Sequence, residues 1–420
     1  DVDFSYRNRY FVNGVFRSSG SSKFGKNQRF APFWSVGFGW NVHNEEFLKC
    51  DWLNTLRFRV SYGYTGNAGF SPYQAITTYK YSNDYRYYAG VGALPITMGN
   101  MDLKWQRTLK MNYGVTGGFL NDRLRVEFDY YVEETKDMLI PIDVPLSMGV
   151  DNVKINLGSA KNAGLDFSIS GQIIQKKDWN WMLTVNGGHV YDKIEKISNA
   201  LQRTNSETTS SDEWNAPKIQ FKEGESQYAI YAMRSAGIDP ATGKEVFINK
   251  NGEYTFDYNY DDQVVVGNTN PTIQGSIFTS FRYKGFSLSV SAAYTLGGDI
   301  YNTTLAKKVE NINIRENVDR RAFSERWKEI GDETRFLGIP ESGRATYLSA
   351  RFVERKNELS ISNINLQYEF NVEKLKLFGL KRLVVGIGAS DIGRLSTVKF
   401  ERGTSYPYCR SFNFVLRPTF

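Results

Sequence analysis

The side chains most often used for metal or redox chemistry are scarce in this sequence and scattered. His43 and His189 are the only histidines, Cys50 and Cys409 the only cysteines. Neither histidine sits in a cluster with zinc-ligand spacing, and the cysteines are too far apart in sequence to form a redox motif. Gly386, Gly388 and Gly393 resemble a glycine-rich nucleotide loop. They lie inside a β-pattern with no helix following, so they read as glycines that thin a strand. No Gly-x-Ser-x-Gly nucleophile motif occurs, and no enzyme is expected. Asp257, Asp261 and Asp262 have a spacing that could take Ca²⁺, or they are a solvated acidic loop. Beyond this Ca²⁺ option no cofactor is expected.

Aromatic residues offer a different chemistry. Tyr73, Tyr79, Tyr81, Tyr85, Tyr87 and Tyr88 stand among Gln74, Asn83, Asp84 and Arg86; further sets are Trp214, Tyr228 and Tyr231, and Tyr254 to Tyr260. A tyrosine presents a flat apolar face and a hydroxyl, which suits sugar rings and protein interfaces alike. Contacts to a substrate or a docking partner are therefore expected from Tyr73, Tyr79, Tyr85, Tyr88, Trp214, Tyr228 and Tyr231. The competing reading is that these rings pack loops against one another.

The elements that must position these rings are strands. About twelve segments alternate apolar and polar residues with period two. The first runs from Val2 to Arg17. Others place Trp34, Val36, Phe38 and Trp40, or Leu56, Phe58, Val60, Tyr62 and Tyr64, on one face. The segment with Leu124, Val126, Phe128 and Tyr130 on one side carries Arg123, Arg125, Glu127 and Asp129 on the other, beside the similar Arg57 and Arg59. A soluble sandwich would have to pair every one of those charges to bury that face, whereas a water-filled lumen leaves it wet. Further strands follow around Leu109 to Phe119, Leu165 to Ile173, Trp179 to Val185, Ile277 to Tyr283, Phe286 to Leu296 and Leu383 to Ala389. A change of phase between Ile361 and Ile364 predicts a β-bulge at Ser362 and Asn363. The last strand, Ser411 to Phe420, sets Phe412, Phe414, Leu416, Pro418 and Phe420 on one face. It ends on an aromatic, as a strand in a lipid-facing girdle does and a frayed soluble terminus rarely does.

The connections fix the architecture. Tight turns fall at Asn121 and Asp122, at Gln175 to Asp178 and at Lys284 and Gly285, with a slightly longer link from Asn371 to Leu380. Between them come connections of about 35 residues after Asn67, about 15 after Asp137, nearly 80 after Lys193 and more than 50 after Gly298. Regular alternation of short and long is the pattern of an outer-membrane barrel with periplasmic turns and outer loops. No run of 18 apolar residues exists for a membrane helix. A negative mean hydropathy suits a barrel, where only alternate residues meet lipid. The net charge of +7 is spread along 420 residues and gives no basis for nucleic-acid binding. The expected fold is all-β: a transmembrane antiparallel β-barrel occupying residues 1–420 as one region. The chain opens directly in strand-like sequence without a signal peptide, so it reads as a piece of a longer protein.

Several stretches resemble the SusC/RagA-type TonB-dependent transporters of Bacteroidetes outer membranes. They are FRSSGSSKFG (Phe16 to Gly25), LRFRVSYGYTGNAG (Leu56 to Gly69) and GNMDLKWQRTLKMNYGVTGGFLNDRLRVEFDYYVEETKDML (Gly99 to Leu139). NLGSAKNAGLDFSISG (Asn156 to Gly171), GIDPATGKEVFI (Gly237 to Ile248), GNTNPTIQGSIFTSFRYKGFSLSV (Gly267 to Val290) and RWKEIGDET (Arg326 to Thr334) complete the set. The resemblance implies a barrel of about 22 strands, of which this chain would hold roughly the last twelve. The family's plug domain, its TonB-contact segment and its first strands have no counterpart in the sequence. It further implies an importer of glycan fragments or oligopeptides, energised through TonB and partnered by a SusD-like surface lipoprotein over the outer loops. The alternative is a passive porin or structural barrel without energy coupling.

Overall fold

The computed structural model describes residues 1–67, 69, 72–88, 90–144, 148–150, 152–197, 217, 219–312, 318–339, 346–370, 380–399 and 409–420. Thirteen strands form one antiparallel sheet whose spatial order follows the chain. They are β1 (Val2–Tyr6), β2 (Tyr10–Gly20), β3 (Phe30–Asn41), β4 (Leu53–Asn67), β5 (Gln106–Phe119), β6 (Leu124–Asp143) and β7 (Asn152–Gln175). Then come β8 (Trp179–Lys196), β9 (Ile273–Tyr283), β10 (Phe286–Leu296), β11 (Glu358–Phe370), β12 (Arg382–Ser396) and β13 (Ser411–Thr419). No helix among the described residues is long and apolar enough to cross a membrane. Two compact units divide the chain, one built mainly on Asp1–Ser170 and the other on Gly171–His189 and Tyr228–Phe420.

In the first unit, the segment expected as one strand from Val2 to Arg17 is a hairpin. Arg7 and Asn8 take left-handed φ values of 50° and 53°, and the Arg9 N–H closes the turn on the Tyr6 carbonyl. Tyr6 pairs with Tyr10, four residues on. An even spacing keeps the alternation in phase, so the pattern hides the reversal. From β2 to β6 directly paired residues share a face, and one such row reads Val12, Phe38, Val60, Tyr113 and Tyr130. All five are exposed although apolar or aromatic, as a lipid-facing wall must be. The neighbouring row on the other face reads Phe11, Gly39, Arg59, Gly114 and Asp129.

The second unit repeats the scheme. Leu288, Leu366, Ile387 and Phe414 pair in succession across β10 to β13, giving a continuous apolar face. β13 pairs with β12, Leu383 with Pro418 through Ala389 with Phe412. The register of β11 shifts between Ile361 and Asn363 against both neighbours, so the bulge lies where the phase change placed it. Among the described residues, the buried cluster of this unit is not built by the strands of the large sheet. It lies in the long connections 197–272 and 297–357, where Ile230, Ala232, Tyr301, Leu305, Ala306, Val309, Phe336, Leu348 and Phe352 pack together. These connections contain strands of their own, among them Ala229–Ala232 with Val264–Asn268 and Arg234–Ile238 with Glu245–Ile248. Lipid covers the strands from outside, so only the loops need to build a core of the soluble kind.

Candidate functional site

The polar face of the first unit encloses a concavity of about 1040 Å³, lined in part by Arg57, Arg59, Lys110, Asp129, Glu133 and Asp166. Its charges are largely paired across strands. Arg59 Nη2 lies 3.2 Å from Asp129 Oδ1 and Lys110 Nζ lies 2.6 Å from Glu133 Oε1. The strand between Arg59 and Asp129 carries Gly114, where a Cβ would come within 2.4 Å of Asp129 Oδ1 and 2.9 Å of Arg59 Nε. Glycine is what allows the ion pair to close over the backbone. Arg57 donates from Nε to Asn41 Oδ1 at 2.9 Å and stacks over the Phe11 ring. Arg125 and Glu127 lie 3.7 Å apart on β6. A wall of this kind is wet and carries both signs.

The first unit also carries a tyrosine hairpin between β4 and β5, formed by Thr78–Tyr87 and Gly90–Thr97. Tyr79, Tyr81 and Tyr88 stand exposed there, and Tyr73 is exposed in the turn that precedes the hairpin. The backbone of Tyr85 belongs to this hairpin. Among the described residues no ring contact joins Tyr73, Tyr79, Tyr81 and Tyr88 into a closed pocket.

In the second unit the loops are fastened by buried charge. Arg351 donates from Nη2 to Glu245 Oε2 and from Nη1 to Glu310 Oε2, both at 2.8 Å. The side chains of Arg351, Glu245 and Glu310 are 8%, 3% and 1% exposed. Burial alone would lower the Arg351 pKa, but the hydrogen bonds to the two carboxylates raise it above the ordinary arginine value. Ser349 Oγ donates to Glu245 as well. Arg326, also buried, donates to the carbonyls of Ala322, Val309 and Glu310. Nearby, Tyr258 and Tyr347 stack at 4.6 Å, and burial pushes the Tyr258 hydroxyl up to about 12. The turn 239–244 is clamped from the other long loop: Trp327 Nε1 donates to the Pro240 carbonyl at 2.9 Å. Gly243, at φ +65°, leaves room for the Trp327 ring, since a Cβ would lie 2.4 Å from it. Loops tied in this way form a preformed platform with little conformational entropy left to lose on binding.

The expected contact residues are thus dispersed. Tyr79 and Tyr88 are exposed on the hairpin, Tyr73 in the turn before it, and Tyr228 in the second unit. Tyr231 is 2% exposed and packs inside. Trp214 lies outside the described residues, as does the side chain of Tyr85. Asp261 and Asp262 form a short turn capped by Asn259, and Asp262 Oδ1 accepts from the Lys250 N–H. Asp257 N–H donates to Thr255. Among the described residues no group of three or more His, Cys, Asp or Glu side chains is gathered for a metal ion. Sequence reasoning missed Glu245, Glu310, Arg326 and Arg351. The one available signal was that Glu245 and Arg326 fall within two of the quoted resemblance stretches, GIDPATGKEVFI and RWKEIGDET, which touch through Trp327 and Pro240.

Comparison with known proteins agrees with this architecture. The family described as TonB dependent receptor-like, beta-barrel matches residues 2–317. TonB-dependent receptor P39 of Formosa agariphila is 26% identical over 93% of this chain and 41% of its own length. TonB-dependent receptor SusC of Bacteroides thetaiotaomicron is 27% identical over 88% of this chain and 37% of its own. Among solved structures, the RagAB peptide transporter superposes with a TM-score of 0.81 at 26% identity, covering 94% of this chain and 43% of that one. The chain therefore spans about two-fifths of the length of these relatives. With its alternating wet and lipid-facing rows and its long outer loops, the chain belongs to the TonB-dependent receptor-like β-barrel family of Gram-negative outer membranes, and within it to the SusC/RagA type.

Proposed function

We propose that the protein containing this chain is an active importer of glycan fragments or oligopeptides, energised through TonB and working with a SusD-like surface lipoprotein. The observation that carries this reading is the loop platform of the second unit, a buried core stapled by Arg351, Glu245 and Glu310 on top of membrane strands. A passive pore needs no such body at its mouth, whereas a docking lipoprotein needs a rigid surface. The likeness to SusC and to the RagAB peptide transporter supports the same reading. Tyr73, Tyr79 and Tyr88, with Tyr228, supply aromatic faces for the partner or the substrate. The wet wall around Arg59 and Asp129 lies on the solute's path. Transport is tested by following labelled oligopeptides and oligosaccharides into cells carrying the full-length protein. Uptake of one class should stop when the inner-membrane proton gradient is collapsed or TonB is removed. Uptake that continues undiminished contradicts the proposal.

A further inference from the structure

Where the short turns of the second unit meet the membrane, aromatic side chains form an unbroken row. Trp179 pairs with Tyr283, Tyr283 with Phe286, and Phe286 with Tyr368, so all four share the lipid-facing side of β8 to β11. Ring centroids are 4.3 Å apart for Trp179 and Tyr283, and 4.5 Å for Phe286 and Tyr368. Such a row sits at the level of lipid headgroups.

Immediately beyond it are two cationic turns. Lys176 and Lys177 belong to the β7–β8 turn and Lys284 to the β9–β10 turn, and all three are exposed. The turns touch, because the Lys284 N–H donates to the Asp178 carbonyl at 2.9 Å. Lys284 Nζ stands 5.3 Å from the centre of the Tyr283 ring, which holds the ammonium at the edge of the aromatic row. Among the described residues none of the three lysines is in an ion pair. The neighbouring Arg382 is different, being neutralised by a two-pronged contact with Glu369 at 2.9 Å. Asp178 is the one carboxylate on these two turns, so the pair of turns stays net positive.

We propose that this rim is a binding site for an anionic glycerophospholipid of the periplasmic leaflet. Lys176, Lys177 and Lys284 hold the headgroup phosphate, while the glycerol and upper acyl carbons lie on Trp179, Tyr283 and Phe286. A soluble anion would use the lysines and leave the aromatic row idle. A lipid uses both at once, and the row already faces hydrocarbon. The inference rests on the outer-membrane placement of the chain and is independent of what the protein transports.

The test uses the full-length protein in nanodiscs of phosphatidylethanolamine and phosphatidylglycerol, with retained lipids counted by native mass spectrometry. One lysine near an anionic surface changes partition roughly five-fold, so phosphatidylglycerol should be retained over phosphatidylethanolamine by about that factor or more. The triple variant K176Q/K177Q/K284Q should bring the ratio near one while the barrel keeps its heat-modifiable migration. The single variant K284Q, which removes only one exposed amine, should lower the ratio partially and guards against a folding defect in the triple. W179A should weaken retention of both lipids. A wild-type ratio near one, or a ratio that survives the triple variant, overturns the proposal. Displacement of the lipid by millimolar inorganic phosphate would mark a free-anion site instead and overturns it too.

Discussion

Replacing Arg351 by methionine removes the cation between two carboxylates that are almost fully enclosed, Glu245 and Glu310. Breaking a buried ion pair by deleting one partner costs about 3–5 kcal/mol, because the remaining charge has no counterion and little water. The three residues join segments about 40 to 100 positions apart, so the loss falls on the closure of the loop platform rather than on the strands, which have their own ladders. Hydrogen exchange on the full-length protein should show amide protection within Ala229–Ala232 and Glu245–Ile248 reduced at least a hundred-fold, the equivalent of about 3 kcal/mol. Protection in β9 and β10 should be unchanged. Adding E245L and E310L should restore much of the protection, since apolar groups of similar size can replace a buried ion cluster at little cost. A loss of less than ten-fold in R351M, or no recovery in the triple variant, would refute the claim that this cluster holds the loops.

Further outcomes are expected. With Cys50 and Cys409 replaced, a cysteine at 125 should react with a water-soluble maleimide, whereas one at 126 should react only with a membrane-partitioning reagent; reversed labelling would overturn the assignment of faces. Gly114→Val should displace the contact of Arg59 with Asp129 and destabilise refolded protein by about 1–3 kcal/mol in urea titrations, mostly from overpacking rather than from the half-exposed ion pair; an unchanged midpoint would show that the close approach at Gly114 is not required. Residues 1–420 expressed alone should not run as a heat-modifiable barrel. β1 and β13 each have one strand neighbour among the described residues, and each unpaired backbone group in hydrocarbon costs several kcal/mol.

The strands were legible because the membrane enforces a strict rule on them. Every second residue meets lipid, and Trp34, Val36, Phe38 and Trp40 obey it without exception, as do Phe412, Phe414 and Leu416. The bulge near Asn363 was legible for the same reason, since a slip in a two-residue pattern has to be absorbed somewhere. The turn at Arg7 and Asn8 was hidden because Tyr6 and Tyr10 keep the same phase on both sides of it. The loops followed no such rule. Their core is assembled from short pieces such as Ala229–Ala232 and Tyr301 to Val309, and no local period marks which apolar residues will meet. Tyr231 illustrates the limit: its composition suits an exposed contact, and only tertiary packing decides that it is enclosed. The cluster of Glu245, Glu310 and Arg351 was hidden for a related reason, as three charges on distant segments look like any solvated polar residues until the chain brings them together.

The reading of the protein as a gated, energy-coupled importer is tested most directly by the conductance of the full-length protein in a planar bilayer. A closed channel is expected at rest, with solute passage only when TonB acts on it. A steady open pore without any energy source would contradict energy coupling and favour a passive porin.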